Sequence, residues 1–325
     1  MVTRRHFLLA GGAGLMPWGM LAGAAEQLSL AKILLGAPAG GSGDLMARRL
    51  ADKLTGGYAS KVIVENRPGA GGQLAITALR DAPDDGSTLL LTPSSLLSIY
   101  PYTYAKLPYK PQDDLAPVSL AAYSNHALGI GPAVPLSVKT LKDFLAWAKA
   151  NPDQASYGSP ASGSIPHLIV VVLAKLTNAP LRHIPYRGST QGLQDLRGGT
   201  LAAMSSPVGA FLPHLASGQV RLLAVSGDQR SPFVKDVPTY RQLGHPITAR
   251  EWYGFFVPAR TRAAMVSRAA AYLRMALSAP EVAEGIRQFG LEAVHSTPQQ
   301  LAEMLKADSQ EWRSLIKTVG FTAES

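Results

Sequence analysis

The sequence predicts an α/β protein of two lobes, each a mostly parallel sheet flanked by helices, with two strands joining them. Short apolar runs alternate with helical periodicity through most of the chain. Glycine-rich loops recur where an apolar run ends and a helical pattern begins, at residues 36–44, 65–72 and 158–167. Beyond an N-terminal export-like segment, about 300 of the 325 residues remain, more than one growing core accommodates.

The N-terminal segment comes first. Thr3-Arg4-Arg5-His6-Phe7-Leu8-Leu9 reads as a twin-arginine export signal, with an apolar stretch over 7–21 and small residues Ala22, Gly23, Ala24 and Ala25 before Glu26. Its glycines and its proline, and a length short of the roughly 20 apolar residues a span needs, argue against a membrane anchor. Residues 1–25 are therefore expected to be removed. With no cysteine in the chain, lipid anchoring through a thiol, disulfides and thiolate metal sites are excluded.

Residues 32–35, 62–65 and 88–92 are bounded apolar runs that read as buried strands, with helices over 44–54 and 72–80 between them. Pro83-Asp84-Asp85-Gly86 is a turn. This βαβαβ order implies a parallel sheet. A proline- and tyrosine-rich stretch over 100–117 precedes a strand at 125–130. Thr140 and Asp143 form a capping box for a helix whose apolar face is Leu141, Phe144, Leu145 and Ala148.

A second alternating set has strands at 155–158, 182–184, 201–204 and 220–226 and helices at 165–177, 189–197 and 208–217. Residues 252–257 read as a strand, and three helical patterns follow. The last starts at Thr297 with Pro298 in the first position, and Asp308 interrupts its stripe of Leu301, Leu305, Trp312 and Leu315. The expected division is 26–124 with 251–325 as one lobe and 125–250 as the other. The strands at 125–130 and 252–257 would be the hinge, and the cleft between the lobes the ligand site.

Without Arg4 and Arg5 the chain keeps 29 basic and 22 acidic side chains, a balance of +7. The basic residues are scattered, with no stripe interleaved with aromatics, so no nucleic-acid partner is expected. No Gly-x-Ser-x-Gly elbow, phosphate loop or His-Glu-x-x-His occurs, and the seven histidines have no metal-ligand spacing. Gly69-Ala70-Gly71-Gly72 fails the dinucleotide fingerprint, because Leu74 holds the final small position. Neither a cofactor nor a metal is expected. What remains is a binder of a small anion, since each glycine loop offers first-turn N–H groups and a helix dipole.

Several segments, in order, carry a resemblance. They include Ala39-Gly40-Gly41-Ser42-Gly43-Asp44, Val64-Glu65-Asn66-Arg67-Pro68-Gly69-Ala70-Gly71-Gly72 and Lys106-Leu107-Pro108-Tyr109. Gly163-Ser164-Ile165-Pro166-His167-Leu168, Ile184-Pro185-Tyr186-Arg187-Gly188 and Trp252-Tyr253-Gly254-Phe255-Phe256-Val257-Pro258 continue it. With these the chain resembles the Bug-type solute receptors of tripartite tricarboxylate transporters, which are bacterial periplasmic binding proteins. The resemblance implies a two-lobed, type II-like periplasmic binding protein, monomeric, that closes on a small carboxylate in the periplasm and serves the membrane subunits of a transporter. It implies a first pincer of Ala39, Gly40, Gly41, Ser42 and Asp44 and a second of Ser159, Ser162, Gly163, Ser164 and His167. Family members usually carry an aromatic residue at Ala37, often a threonine at Gly43, and an acidic residue near Ser205 or Ser206, so the side facing the ligand's far end is expected to be neutral here.

Individual residues have second readings. Asp44 reads first as a helix N-terminal stabiliser and loop brace. Ser42, Ser162 and Ser164 suit helix caps as well as ligand contacts, and His167 suits packing against its loop. Arg187 is the preferred charged ligand contact, with Tyr186 beside it, whereas Arg67 can brace its own turn. Two further functions remain open from the residues alone. One is an exported α/β hydrolase using Ser162, and the other is a ligand sensor feeding a two-component system.

Overall fold

The computed structural model describes residues 28–322, so the predicted export signal at 1–25 lies outside the described residues. The chain opens with β1 (Leu28–Leu35), α1 (Ser42–Leu54), β2 (Ala59–Asn66), α2 (Gln73–Arg80) and β3 (Thr88–Pro93). A π-helical turn (Ser95–Ile99) runs directly into α3 (Tyr100–Thr103), and α4 (Pro111–Asp114) leads to β4 (Leu115–Ser124). The second set is β5 (His126–Ile130), α5 (Leu141–Ala150), β6 (Ser156–Ser159), α6 (Ile165–Thr177), β7 (Arg182–Pro185), α7 (Ser189–Arg197), β8 (Ala203–Pro207), α8 (Val208–Leu215) and β9 (Arg221–Val225). The chain returns through β10 (Glu251–Pro258), α9 (Ala263–Ser278), α10 (Pro280–Arg287), β11 (Glu292–Ala293) and α11 (Pro298–Val319).

Two sheets result, ordered β11-β4-β10-β3-β1-β2 and β7-β6-β8-β5-β9. Each is mixed rather than mostly parallel. In the first, β1 pairs in parallel with β2 and β3, while β10 and β11 join antiparallel. In the second, β6 is parallel to β7 and β8, and β5 runs antiparallel to β8 and β9. The βαβ crossovers account for the parallel halves. The antiparallel halves arise where the chain passes between sheets, because a strand that crosses over and one that returns approach from opposite ends.

The first crossing is short. β4 ends at Ser124 in one sheet and β5 begins at His126 in the other, with Asn125 between. β4 is absent from the sequence reading because Pro117 sits inside it. The strand accommodates that proline beside a register shift against β10, where Ser119 faces Phe255 and Pro117 faces Phe256.

Strand alternation divides the core. Ile33, Leu35, Leu89, Leu91, Phe255 and Val257 face one cluster with α1, α9 and α10. Leu34, Leu90 and Phe256 face a middle cluster that continues through α11 into α5 and α6 of the second lobe. A third cluster lies under α7 and α8. The predicted capping box at Thr140 with Asp143 forms, and Thr297, read as an N-cap, forms a second box with Gln300. On α11 the buried stripe drifts to Ile316, leaving Leu315 36% exposed. Asp308 accepts hydrogen bonds from Ser98 Oγ (2.6 Å) and Trp252 Nε1 (3.1 Å), and burial raises its carboxyl pKa. Among the described residues no helix is long and apolar enough to cross a membrane.

Candidate functional site

Six strand-to-helix turns gather at the C-terminal ends of the parallel strands, where α1, α2, the π turn, α6, α7 and α8 begin. At none of these six starts does the N-cap residue's own side chain cap the helix. The two lobes meet there. A Cβ on Gly188 at the start of α7 would lie 3.2 Å from Pro38, and one on Gly209 in α8 would lie 2.7 Å from Ser42 Oγ. Ile165 N donates to Ser95 Oγ (3.1 Å), and Tyr104 OH donates to the carbonyl of Ser162 (3.1 Å).

The first pincer loop is held from behind. Asp44 is 1% exposed, and its carboxylate accepts from Gly40 N (2.9 Å), Arg48 Nε (3.0 Å) and Nη2 (3.0 Å), and Asn66 Nδ2 (2.8 Å). Asn66 also donates to the carbonyl of Ala37 (3.0 Å) and accepts from Arg48 Nη2 (3.0 Å). Asn66 thus fixes the loop before α1. Burial raises the Asp44 pKa, but the hydrogen bonds from Arg48, Gly40 and Asn66 outweigh it and hold the carboxyl below its ordinary value. Gly36 and Gly72 touch back to back: a Cβ on Gly36 would lie 2.7 Å from Gly72 Cα.

With Asp44 committed to bracing, Ala39, Gly40, Gly41 and Ser42 form the open rim of this loop. Ala39 and Gly40 are exposed, and Gly41 and Ser42 are half-buried. Gly41 is the residue before α1, with φ −80° and ψ 164°, and a Cβ placed on it meets nothing within 4 Å.

In the second loop Ser159 is fully buried, its Oγ 3.1 Å from the carbonyl of Ala161 and 2.8 Å from His183 Nε2. Ser164 Oγ donates to the same carbonyl (2.7 Å), leaving Ser162 half-buried and Gly163 buried at the turn. His167 Nδ1 accepts from Gly163 N (3.0 Å), and its ring stacks on His183 with centroids 3.6 Å apart and planes at 13°. Phe321 meets the His167 ring edge-on at 5.0 Å. Both rings are neutral. Burial drives His167 down to about 3, helped by His183, and drives His183 down to about 4.

A depressed histidine pKa favours the fold above the ordinary value of 6.5 and loses that contribution as pH falls toward the folded values. Apparent stability is therefore expected to fall between about pH 6.5 and pH 4. That slope should be shallower in His183→Gln, as read by thermal unfolding across that range.

Tyr186 turns its hydroxyl to Asp195 Oδ2 (2.8 Å), which ties the loop to α7. Arg187 is exposed beside it. Arg67 pairs with Glu65 on its own strand (2.5 Å). At the end of β8, Ser206 Oγ donates to Ser189 Oγ (2.6 Å), and the buried Ser205 hydroxyl has no partner. The sequence reading did not find Ser95, Tyr104, Gly209 or His183, since each acquires its role from a neighbour more than twenty residues away. Tyr104 lies within the aromatic stretch noted at 100–117, the one local signal for any of them.

No described group of three or more His, Cys, Asp or Glu side chains is arranged to hold a metal. Among the described residues no hydrogen bond joins the candidate nucleophile Ser162 to a histidine, and the Ser159 hydroxyl that meets His183 is buried and also faces the carbonyl of Ala161.

Comparison with known proteins follows the same line. The family model described as tripartite tricarboxylate transporter family receptor matches residues 46–321. The chain is 34% identical to the protein BugT of Bordetella pertussis over 289 residues, 87% of each chain. It is 31% identical to a protein encoded in the gbd 5' region of Cupriavidus necator, covering 98% of both. Among solved structures, an R. palustris protein with adipate superposes with a TM-score of 0.85 at 25% identity, covering 90% of this chain and 98% of that one. The periplasmic binding protein BugD gives 0.83 at 25% identity, with the same coverage. MatC of Rhodopseudomonas palustris with bound malate gives 0.81 at 25%, covering 88% and 98%.

Proposed function

Because the chain belongs to the tripartite tricarboxylate transporter receptor family, we propose that it captures a small organic carboxylate between its lobes and delivers it to transporter membrane subunits. It is a periplasmic solute-binding receptor, not an enzyme. The observation that carries the carboxylate reading is the pair of helix starts whose own N-cap side chains leave the first turn uncapped, α1 behind Gly40–Ser42 and α6 behind Ser162–Ser164, brought to one cleft. Their backbone N–H groups supply positive partial charge, which spares the site a buried counter-ion and its desolvation cost. That neighbours of 25% identity hold adipate and malate is in keeping with this chemistry.

The far side of the cleft supports a narrower class. Where an acid is usual near residues 205–206 this chain has two serines, one bonded to Ser189 and one buried. With no carboxylate there to pair an ammonium group, a monocarboxylate or aromatic acid fits better than an amino acid. Ala37, half-buried at the rim, leaves room for it. Export by the twin-arginine route, the monomeric state, and lobes of 26–124 with 251–325 and 125–250 belong to the same proposal. Ser162, Ser164, Gly41 and Ser42 are its carboxylate contacts, while Gly40 and Gly163 give their N–H groups to Asp44 and His167 and set the loops. Asp44 and His167 shape the loops, and Arg187 is the exposed cation at the mouth.

The test is a thermal-shift screen of the mature protein against about fifty carboxylates and their amides. A ligand at about a hundred times its Kd adds about 2.7 kcal/mol of stability. A shift from an acid and none from its amide is the expected result. Gly41→Val should abolish that shift at little cost to the ligand-free protein, since valine accepts the extended backbone there. A screen that stays flat after refolding, or a Gly41→Val protein that binds normally, would overturn the reading.

A further inference from the structure

We propose that the π turn and α3 of the first lobe form a latch that draws the second pincer loop shut, with Ser95 and Tyr104 as its positioning residues. The proposal deepens the cleft reading above and rests on it for its consequence in binding, but its geometry stands apart from any ligand.

The first four N–H groups of a helix need partners from outside it. At α6 no side chain of its own loop provides one: Ser164 directs its hydroxyl to Ala161, and Gly163 N is spent on His167. The N–H of Ile165 is instead taken by Ser95 Oγ from the opposite lobe. Ser95 is 1% exposed, and its proton goes to Glu251 Oε1 at 2.6 Å, which leaves its lone pairs for Ile165. Glu251 is 4% exposed and begins β10, and its Oε2 lies 3.3 Å from Nε2 of His126 at the start of β5. The acceptor that holds the second pincer is therefore oriented by Glu251, the residue at which the chain re-enters the first sheet after crossing between lobes.

A second bond completes the latch. Tyr104 OH donates to the carbonyl of Ser162, three residues before Ile165. The Tyr104 ring packs on Tyr100 with centroids 4.6 Å apart, and Tyr100 OH donates to the carbonyl of Gly71 (3.2 Å) in the second glycine loop of the first lobe. One short segment thus touches glycine-rich loops of both lobes. The π turn carries Ser95, bonded to α6, and runs directly into the turn that carries Tyr100 and Tyr104. Such turns are frequent at functional sites. Opening of the cleft at the second pincer loop would break both bonds, so the latch biases the open–closed equilibrium and, through it, apparent affinity.

Because the chain has no cysteine, paired labels are specific. Lys61→Cys on β2 and Lys142→Cys on α5 occupy exposed positions in the two lobes. Spin-label distances between them are to be measured in the ligand-free mature protein, in the Ser95→Ala and Tyr104→Phe variants and in the double variant. Each single change is expected to lower the closed population about fivefold, and the double change more. Tyr104→Phe keeps the ring, which guards against a folding defect in Ser95→Ala. A distance distribution in the double variant that matches the parent overturns the latch, whatever the ligand screen returns. A shift to longer distances alongside a flat ligand screen supports the latch and overturns the carboxylate reading alone.

Discussion

A single methyl group at Gly209 is expected to weaken ligand binding about a hundredfold while leaving both lobes folded. Gly209 lies in the first turn of α8, and a Cβ there would fall 1.8 Å from the carbonyl oxygen of Phe289 and 2.7 Å from Ser42 Oγ, both in the first lobe. Gly290 closes the contact from the other side, since a Cβ on it would lie 2.4 Å from Gly209 Cα. Backbone meets backbone, so no rotamer change relieves the clash, and packed interiors transmit it. Rotation about the crossings is the compliant motion, and the lobes part.

The local effect has the opposite sign. Alanine in a helix is favoured over glycine by about 1 kcal/mol, so α8 itself gains. Gly209→Ala should therefore show a ligand-free Tm equal to or above the parent, a larger radius of gyration by X-ray scattering, and the loss of affinity by calorimetry. Parental affinity in that variant would mean that the lobes do not close at this contact.

Removal of the Asp44 carboxylate should have the next largest effect, through stability as well as binding. Asp44→Ala leaves Gly40 N, the Asn66 amide and the Arg48 guanidinium without their shared acceptor. A buried group stripped of its partner costs about 1–3 kcal/mol, and a loss of about 2–3 kcal/mol is expected here. For a chain of this length that corresponds to a Tm lower by about 5–10 °C.

The pH dependence identifies the carboxylate as the cause. Its folded pKa is depressed, so its contribution is present above the ordinary value of 3.8 and is lost as pH falls through the folded value. The stability gap between parent and Asp44→Ala should be full at pH 7 and shrink in acid. A gap that is constant with pH would place the effect in packing. Ligand affinity should fall with the brace, since Gly40 N is pulled back by the same carboxylate that fixes the loop.

Much of the fold was legible because its signals are local. The helices expected at 165–177 and 189–197 match α6 (Ile165–Thr177) and α7 (Ser189–Arg197) to the residue. The capping box at Thr140 and the N-cap at Thr297 formed as read, since each needs only a side chain and an N–H three residues on. Glycine-rich turns after apolar runs marked the loops that line the cleft. β4 escaped because Pro117 and a run of small residues erase the strand pattern, and only its neighbours on both edges make it a strand.

The roles of side chains lay beyond local reading. Tyr186 read as part of the ligand site from its place beside Arg187, and Asp195 takes its hydroxyl. Asp308 looked like a break in an apolar stripe until Ser98 and Trp252 approached it from other elements. By itself the sequence determined the two α/β sets, the helix starts, the glycine loops and the family they resemble, all written in dihedral preference and short-range periodicity. Tertiary structure alone decided the antiparallel halves of the sheets, the brace behind Gly40 and the contacts of Ser95, Tyr104 and Gly209 across the cleft. These depend on which groups meet from distant parts of the chain, and hydrogen-bond geometry and close packing settle that only once the lobes are face to face.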